Sequence, residues 1–200
     1  TATSAPSGSQ VTVILQVGSN GYVRGDDTQR YIYQPETNYC TLDVLKIGER
    51  RRYVILMRFD LSAIPANAAI LRSTLSLYST GWGGAEIPLD VFRLLRPVTF
   101  CEATWNRASS TTPWGTVGCE NTSTDRDSVP MTTITTSGLN KWHAFDLTNV
   151  TQSWVDRTLP NYGVALQQGY PAANSGYYFA SSQHSNQGLR PKLEITYRTR

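Results

Sequence analysis

Short apolar runs that alternate in and out, each closed by Gly, Pro or Asn, recur along the whole chain. This pattern confines the chain to β architecture more than any other feature does. VTVILQV at 11–17 puts Val11, Val13, Leu15 and Val17 on one face, and a glycine-rich Asn-Gly turn follows. STLSLY at 73–78 aligns Leu75 with Leu77, while LDVLKI at 42–47 and PLDVFRLL at 88–95 add strands. GVALQQ, GYYFASS and KLEITYR complete the series. One segment changes period. In DLTNVTQSWVD, Leu147, Val150 and Trp154 fall at i, i+3 and i+7, and Asp146 or Thr148 can accept from the first free N–H groups. A single short helix is therefore expected near 146–156, inside an all-β sandwich or barrel.

RYVILMRF at 52–59 is almost continuously apolar, which places it centrally in a sheet. It runs into MRFDLSAIP, where Arg58 and Asp60 share one face and Pro65 ends the ladder. The expectation is an outward, solvated Arg/Asp pair at a corner, with the return strand beginning at Ile70. A catalytic pair is disfavoured, because neither a nucleophile nor a His lies near it in sequence.

The chain has 200 residues and suits one domain over 11–200, preceded by the polar tail TATSAPSGSQ at 1–10. Net charge is +3 without a dense basic run, which argues against a nucleic-acid partner. No apolar stretch approaches the roughly 18 residues of a membrane helix, so no membrane insertion is expected. Of three cysteines, Cys101 and Cys119 flank a loop containing Trp105 and Trp114. A bridge between them would add about 3 kcal/mol in the chain-entropy model, leaving Cys40 free as a small buried side chain. The competing reading is a reduced protein with three thiols. Abundant Thr, Ser, Asn, Gly and Tyr, scarce Lys, and the sequons at Asn121 and Asn149 fit an extracellular or cell-surface protein.

Six blocks in order carry a family resemblance. RRYVILMRFDLSAIPANAAILRSTLSLY resembles the signature of the DNRLRE domain family, a strand ending in R-F-D, an I-P corner and an S-x-L-x-L-Y strand. VTVILQVGSNGYV resembles its opening strand, and NYCTLDVLKIG its N-Y-G block, with Cys40 where Gly is usual. EATWNRASSTTPW resembles its W-x-E-x-x-x-T-W loop, with Phe100 in place of the first Trp. FDLTNVTQSWVDRTLPNYGVAL and GLRPKLEITY resemble the helix with its following strand and the terminal strand. The resemblance covers residues 11–197. It implies a jelly-roll-type antiparallel β-sandwich, secreted or on a cell surface, akin to carbohydrate-binding modules and without catalytic residues.

The residues themselves offer little chemistry. His143, in KWHAF, is expected at a surface or rim, and His184 lies in a polar turn without a flanking acid. No triad, nucleophile elbow or carboxylate pair stands out, so the chain is not expected to be an enzyme. No cofactor is expected. Calcium has weak candidates in Asp26, Asp27, Asp125 and Asp127, because such loops supply oxygen ligands. Trp105, Trp142 and Trp154 fall in patterned segments and suit packing. Trp82 in TGWGG and Trp114 in TTPWG sit among small residues and are candidates for stacking on a sugar ring, with Tyr177 and its neighbours Tyr178 and Tyr170 widening the platform. The competing arrangement folds each loop Trp back onto the sandwich.

Two functions follow. The first is a structural subunit that assembles head to tail with copies of itself into a surface filament or adhesive array. In it, the tail residues Thr1, Ala2, Thr3, Ser4, Ala5 and Pro6 add a strand to a neighbour; the rival is a tail packed on its own sandwich edge. The alternative is a carbohydrate-binding module that holds a polysaccharide on loop aromatics.

Overall fold

A computed structural model describes residues 8–199. In chain order the strands are β1 (Gln10–Gln16), β2 (Gly25–Tyr31), β3 (Val44–Gly48), β4 (Tyr53–Phe59), β5 (Ala68–Gly81), β6 (Ile87–Arg93), β7 (Arg107–Ser109), β8 (Thr112–Pro113), β9 (Thr132–Thr136) and β10 (Trp142–Asp146). Helix α1 (Thr148–Val155) follows, then β11 (Val164–Gln168), β12 (Gly176–Ala180) and β13 (Lys192–Thr199). The fold is all-β and antiparallel with one short helix, as the period-two pattern requires.

β5 explains how one sheet becomes two layers. Residues 68–76 pair with β13, and residues 74–78 pair with β10 on the other edge. Beyond them, Ser79 and Gly81 pair with β12, across a register shift between Tyr178 and Phe179. Such an irregularity bends a strand and increases its twist. The sheet curls there. One layer runs β10-β5-β13-β1, and the other runs β12-β3-β4-β11-β6-β9 with β2 also on β4. Their inner faces share one core that includes Leu75, Phe145 and Ile195 from the first layer and Ile55, Leu89 and Phe179 from the second. Fully burying each such side chain contributes roughly 1.5–3 kcal/mol.

β4 is apolar throughout because both of its faces are covered. Ile55 and Met57 enter the main core, whereas Val54 and Leu56 meet a second cluster with Phe100, Trp105 and Trp114. That cluster belongs to a lobe spanning residues 94–130, which folds over the outer face of β4 and β11. Asn38 anchors the lobe by donating to the carbonyls of Phe100 and Ala103 at 2.8 and 2.7 Å.

The disulfide joins Cys40 to Cys101, and it corrects the expected Cys101–Cys119 pairing. Cys40 lies opposite Cys101 with a Cα separation of 5.1 Å. Cys119 instead turns inward against Trp105 and Trp114, where it is free and fully buried. Burial pushes its thiol up to about 12, so it is a neutral packing group.

The helix buries Val150, Thr151, Trp154 and Val155. Asp146 accepts from the Thr148 N–H at 2.8 Å and from its hydroxyl at 2.6 Å, which orders the entry to the first turn. At the MRFDL corner, Arg58 and Asp60 do not pair with each other. Arg58 binds Asp26 of β2 at 2.7 Å, and Asp60 binds Arg24 at 3.0 Å. The stretch is therefore architectural: two ion pairs and the Tyr22 hydroxyl, which accepts from the Asp60 N–H at 2.8 Å, tie the end of β4 to the entry of β2.

Candidate functional site

A chain of aromatic rings crosses the end of the second layer. Tyr31 and Tyr53, opposite each other in β2 and β4, stack with centroids 4.2 Å apart and planes 1° from parallel. Tyr33 meets Tyr31 edge-on at 5.5 Å, Trp82 meets Tyr53 at 6.0 Å, and Tyr178 lies 5.4 Å from Trp82. Two cations interleave with the rings. Lys46 Nζ sits 5.6 Å from the Tyr53 centroid and 5.1 Å from that of Tyr178, and the Arg52 guanidinium lies 5.1 Å from Tyr33. Tyr33 is 61% exposed, Tyr31, Trp82 and Tyr178 are half-buried, and Tyr53 is the buried backing ring.

Local sequence holds this ribbon in place. Trp82 has φ 65°, a left-handed conformation that costs a non-glycine residue of order 1–3 kcal/mol. The glycines around it make the placement sterically feasible: a Cβ on Gly176 would come 2.6 Å from the indole, and one on Gly83 would come 2.6 Å from the Gly176 carbonyl. The β3–β4 turn is also left-handed at Glu49, Arg50 and Arg51. It is held by the Glu49 N–H donating to the Ser175 carbonyl at 2.8 Å and the Arg50 N–H to the Ala173 carbonyl at 3.0 Å. That turn delivers Arg52 to Tyr33, and Glu49 steadies Arg52 at 3.7 Å.

Of the aromatics singled out in the sequence, Trp82 and Tyr178 join the ribbon, whereas Trp114, Tyr177 and Tyr170, whose ring packs on the Arg51 guanidinium 4.9 Å away, do not. Trp114 is buried within the lobe, on its side facing β4, where its Nε1–H donates to the Thr104 carbonyl at 3.0 Å. Tyr177 is fully buried, and its hydroxyl donates to the Ala85 carbonyl at 2.7 Å. The strand period explains the second error: Tyr177 and Phe179 point inward, so Tyr178 is the residue that points out. Tyr31, Tyr33 and Tyr53 carry no separate sequence signal, because only the pairing of β2 with β4 brings them together.

His143 is buried rather than at a rim. Its Nε2 lies 3.1 Å from Ser79 Oγ, and Tyr177 and Phe179 pack against the ring. Burial, aided by Lys141, lowers its proton affinity, so the imidazole is neutral. His184 contacts the Asn186 backbone. The acidic candidates are committed elsewhere: Asp26 to Arg58, Asp127 to Arg93 at 2.8 Å, and Asp125 to Arg96 and to the N–H groups of Gly115, Thr116 and Asn121. Asp27 Oδ2 accepts from the Ser182 N–H at 2.7 Å. Among the described residues, no group of three or more His, Cys, Asp or Glu side chains could hold a metal ion.

Asn121 accepts from the N–H groups of Ser123 and Thr124, and Asn149 is exposed on α1. The tail candidates Thr1, Ala2, Thr3, Ser4, Ala5 and Pro6 lie outside the described residues. An open groove of about 900 Å³ flanks the MRFDL corner, but its Arg24, Asp26, Arg58 and Asp60 neutralise one another.

Residues 26–195 match the family model described as the disaggregatase related repeat domain, and the chain belongs to that family. The match runs from within β2 to within β13, so it takes in both layers and the lobe. No curated protein matches the chain. The Cys40–Cys101 bridge fits an oxidising environment.

Proposed function

We propose that this domain is a non-catalytic extracellular or cell-surface module that binds polysaccharide along the aromatic ribbon. The observation that carries this reading is the uninterrupted run of ring contacts from Tyr33 through Tyr31, Tyr53 and Trp82 to Tyr178. Sugar rings present C–H faces that pack on aromatic faces, and half-exposed rings offer such area at low entropy cost. Lys46 and Arg52 add N–H donors for hydroxyl or acidic substituents. The family description names a relation to a disaggregatase, which accords with a role at a surface where cells or polymers meet.

The test is intrinsic fluorescence titration with a panel of soluble polysaccharides, with single-stranded DNA as the control polymer. Quenching by a polysaccharide, lost in Trp82→Ala and weakened in Tyr33→Ala and Tyr178→Ala, supports the ribbon. Binding that survives all three substitutions refutes it.

A second reading is favoured by a separate feature. Among the described residues, β1 pairs only with β13, so its other edge is open, and Val11 and Ile14 are exposed on it. An open apolar edge accepts an added strand, and the donor would be the small-residue tail of another copy. Filaments of the purified chain that vanish when residues 1–7 are removed would establish this assembly. Monomers at all concentrations would dismiss it.

A further inference from the structure

Beneath the lobe, Arg30 of β2 is fully buried, and its Nε, Nη1 and Nη2 have no hydrogen-bond partner among the described residues. A guanidinium has five N–H donors and no acceptor, and a cation removed from water without acceptors is strongly disfavoured. The nearby acids are already engaged. Glu120 accepts from Arg126 at 2.6 Å and from Arg51 at 3.2 Å. Gln167, with its amide oriented to satisfy both ends, fills the remaining Glu120 oxygen. Asp125 accepts from Arg96, the Thr124 hydroxyl and three backbone N–H groups.

The cluster thus holds the cations Arg30, Arg51, Arg96 and Arg126 against the anions Glu120 and Asp125. Arg126, 94% buried by its 6% exposure, also leaves its Nε–H without an acceptor. Arg30 lies 5.1 Å from the Trp114 ring centroid, and Arg126 lies 4.1 Å from that of Phe92. Trp114 and Phe92 are themselves no more than 5% exposed, so both contacts lie away from bulk water. Cys119 beside Arg30 supplies no charge, because its thiol is neutral.

We infer that Arg30 and Arg126 form a buried site for a small inorganic monoanion of halide type. The anion accepts the free guanidinium N–H groups and offsets one of the two excess positive charges, and it thereby helps to pin the lobe to β2. A multiply charged oxyanion such as sulfate is disfavoured by its own larger desolvation cost.

The test measures urea unfolding in sodium chloride and in sodium gluconate at matched ionic strength. An anion that binds only the folded state raises the folded-to-unfolded ratio in proportion to its concentration above its dissociation constant. A tenfold increase in chloride should then raise that ratio about tenfold relative to gluconate, and Arg30→Met should abolish the dependence. If Arg30→Met does not fold, crystals of the parent protein soaked in bromide provide the second readout. An anomalous peak within hydrogen-bond reach of Arg30 is expected. Equal stability in chloride and gluconate, or no bromide peak at Arg30, overturns the site.

Discussion

Replacing Cys40 and Cys101 together by alanine removes a cross-link between residues 61 apart in sequence. In the chain-entropy model, a loop of that length restricts the denatured ensemble by about 14 cal/mol/K, or about 4 kcal/mol at 25 °C. The folded state loses little, because Asn38 still holds the lobe through the Phe100 and Ala103 carbonyls and the second core stays packed. With a urea m value of about 2.5 kcal/mol/M, the unfolding midpoint should fall by about 1.7 M, and m itself should rise as the denatured chain expands. Cys119→Ala is the control. It removes one buried, unbonded sulfur and should cost about 1 kcal/mol, with m unchanged. Equilibrium urea unfolding of the three proteins reads all of this directly. A double alanine variant whose midpoint matches the parent, or a larger loss from Cys119→Ala than from the pair, refutes the assigned bridge and its role.

Three further outcomes are expected. Burial, opposed by the Ser182 N–H, pushes the Asp27 carboxyl up to about 7, so between about pH 4 and pH 7 the folded state holds a proton that the unfolded state has released. Relative to Asp27→Asn, the parent should lose stability as pH rises through that window, on the order of 4 kcal/mol in total, with a flat difference on either side; a difference that stays flat throughout contradicts the assignment. Gly163→Ala should cost about 2 kcal/mol or more, because φ there is 95° and a Cβ would stand 2.3 Å from the Met57 carbonyl; thermal unfolding at parental temperature would refute this. Phe179→Ala, which empties a fully buried site between the layers, should cost about 3–5 kcal/mol by denaturant unfolding.

How much of this was legible in the sequence depends on which physical signal each element carries. β5 and β13 bury alternate residues against one core, and the period-two pattern reports that directly. β4 is buried on both faces, and its continuous apolar run says so. β2 gives no such signal: GDDTQRY is polar, yet Asp27, Thr28, Gln29 and Arg30 are all buried, because strand pairing and the lobe cover them. Sequence proximity favours Cys101 with Cys119, whereas the lobe folds back onto the loop carrying Cys40, and no local signal reports that fold-back. Small residues around Trp114 suggested an exposed loop, but the same lobe turns that ring inward. Of the ribbon, only Trp82 and Tyr178 stood out, since the rings from β2 and β4 meet through long-range register rather than spacing.

The measurement that bears most directly on the ribbon is a polysaccharide array probed with the parent protein and with Trp82→Ala/Tyr178→Ala, both first shown to be folded by their unfolding curves. The account predicts binding to at least one polysaccharide by the parent and its loss in the double variant. Equal binding by both proteins, or no binding by the parent to any polysaccharide, would contradict it.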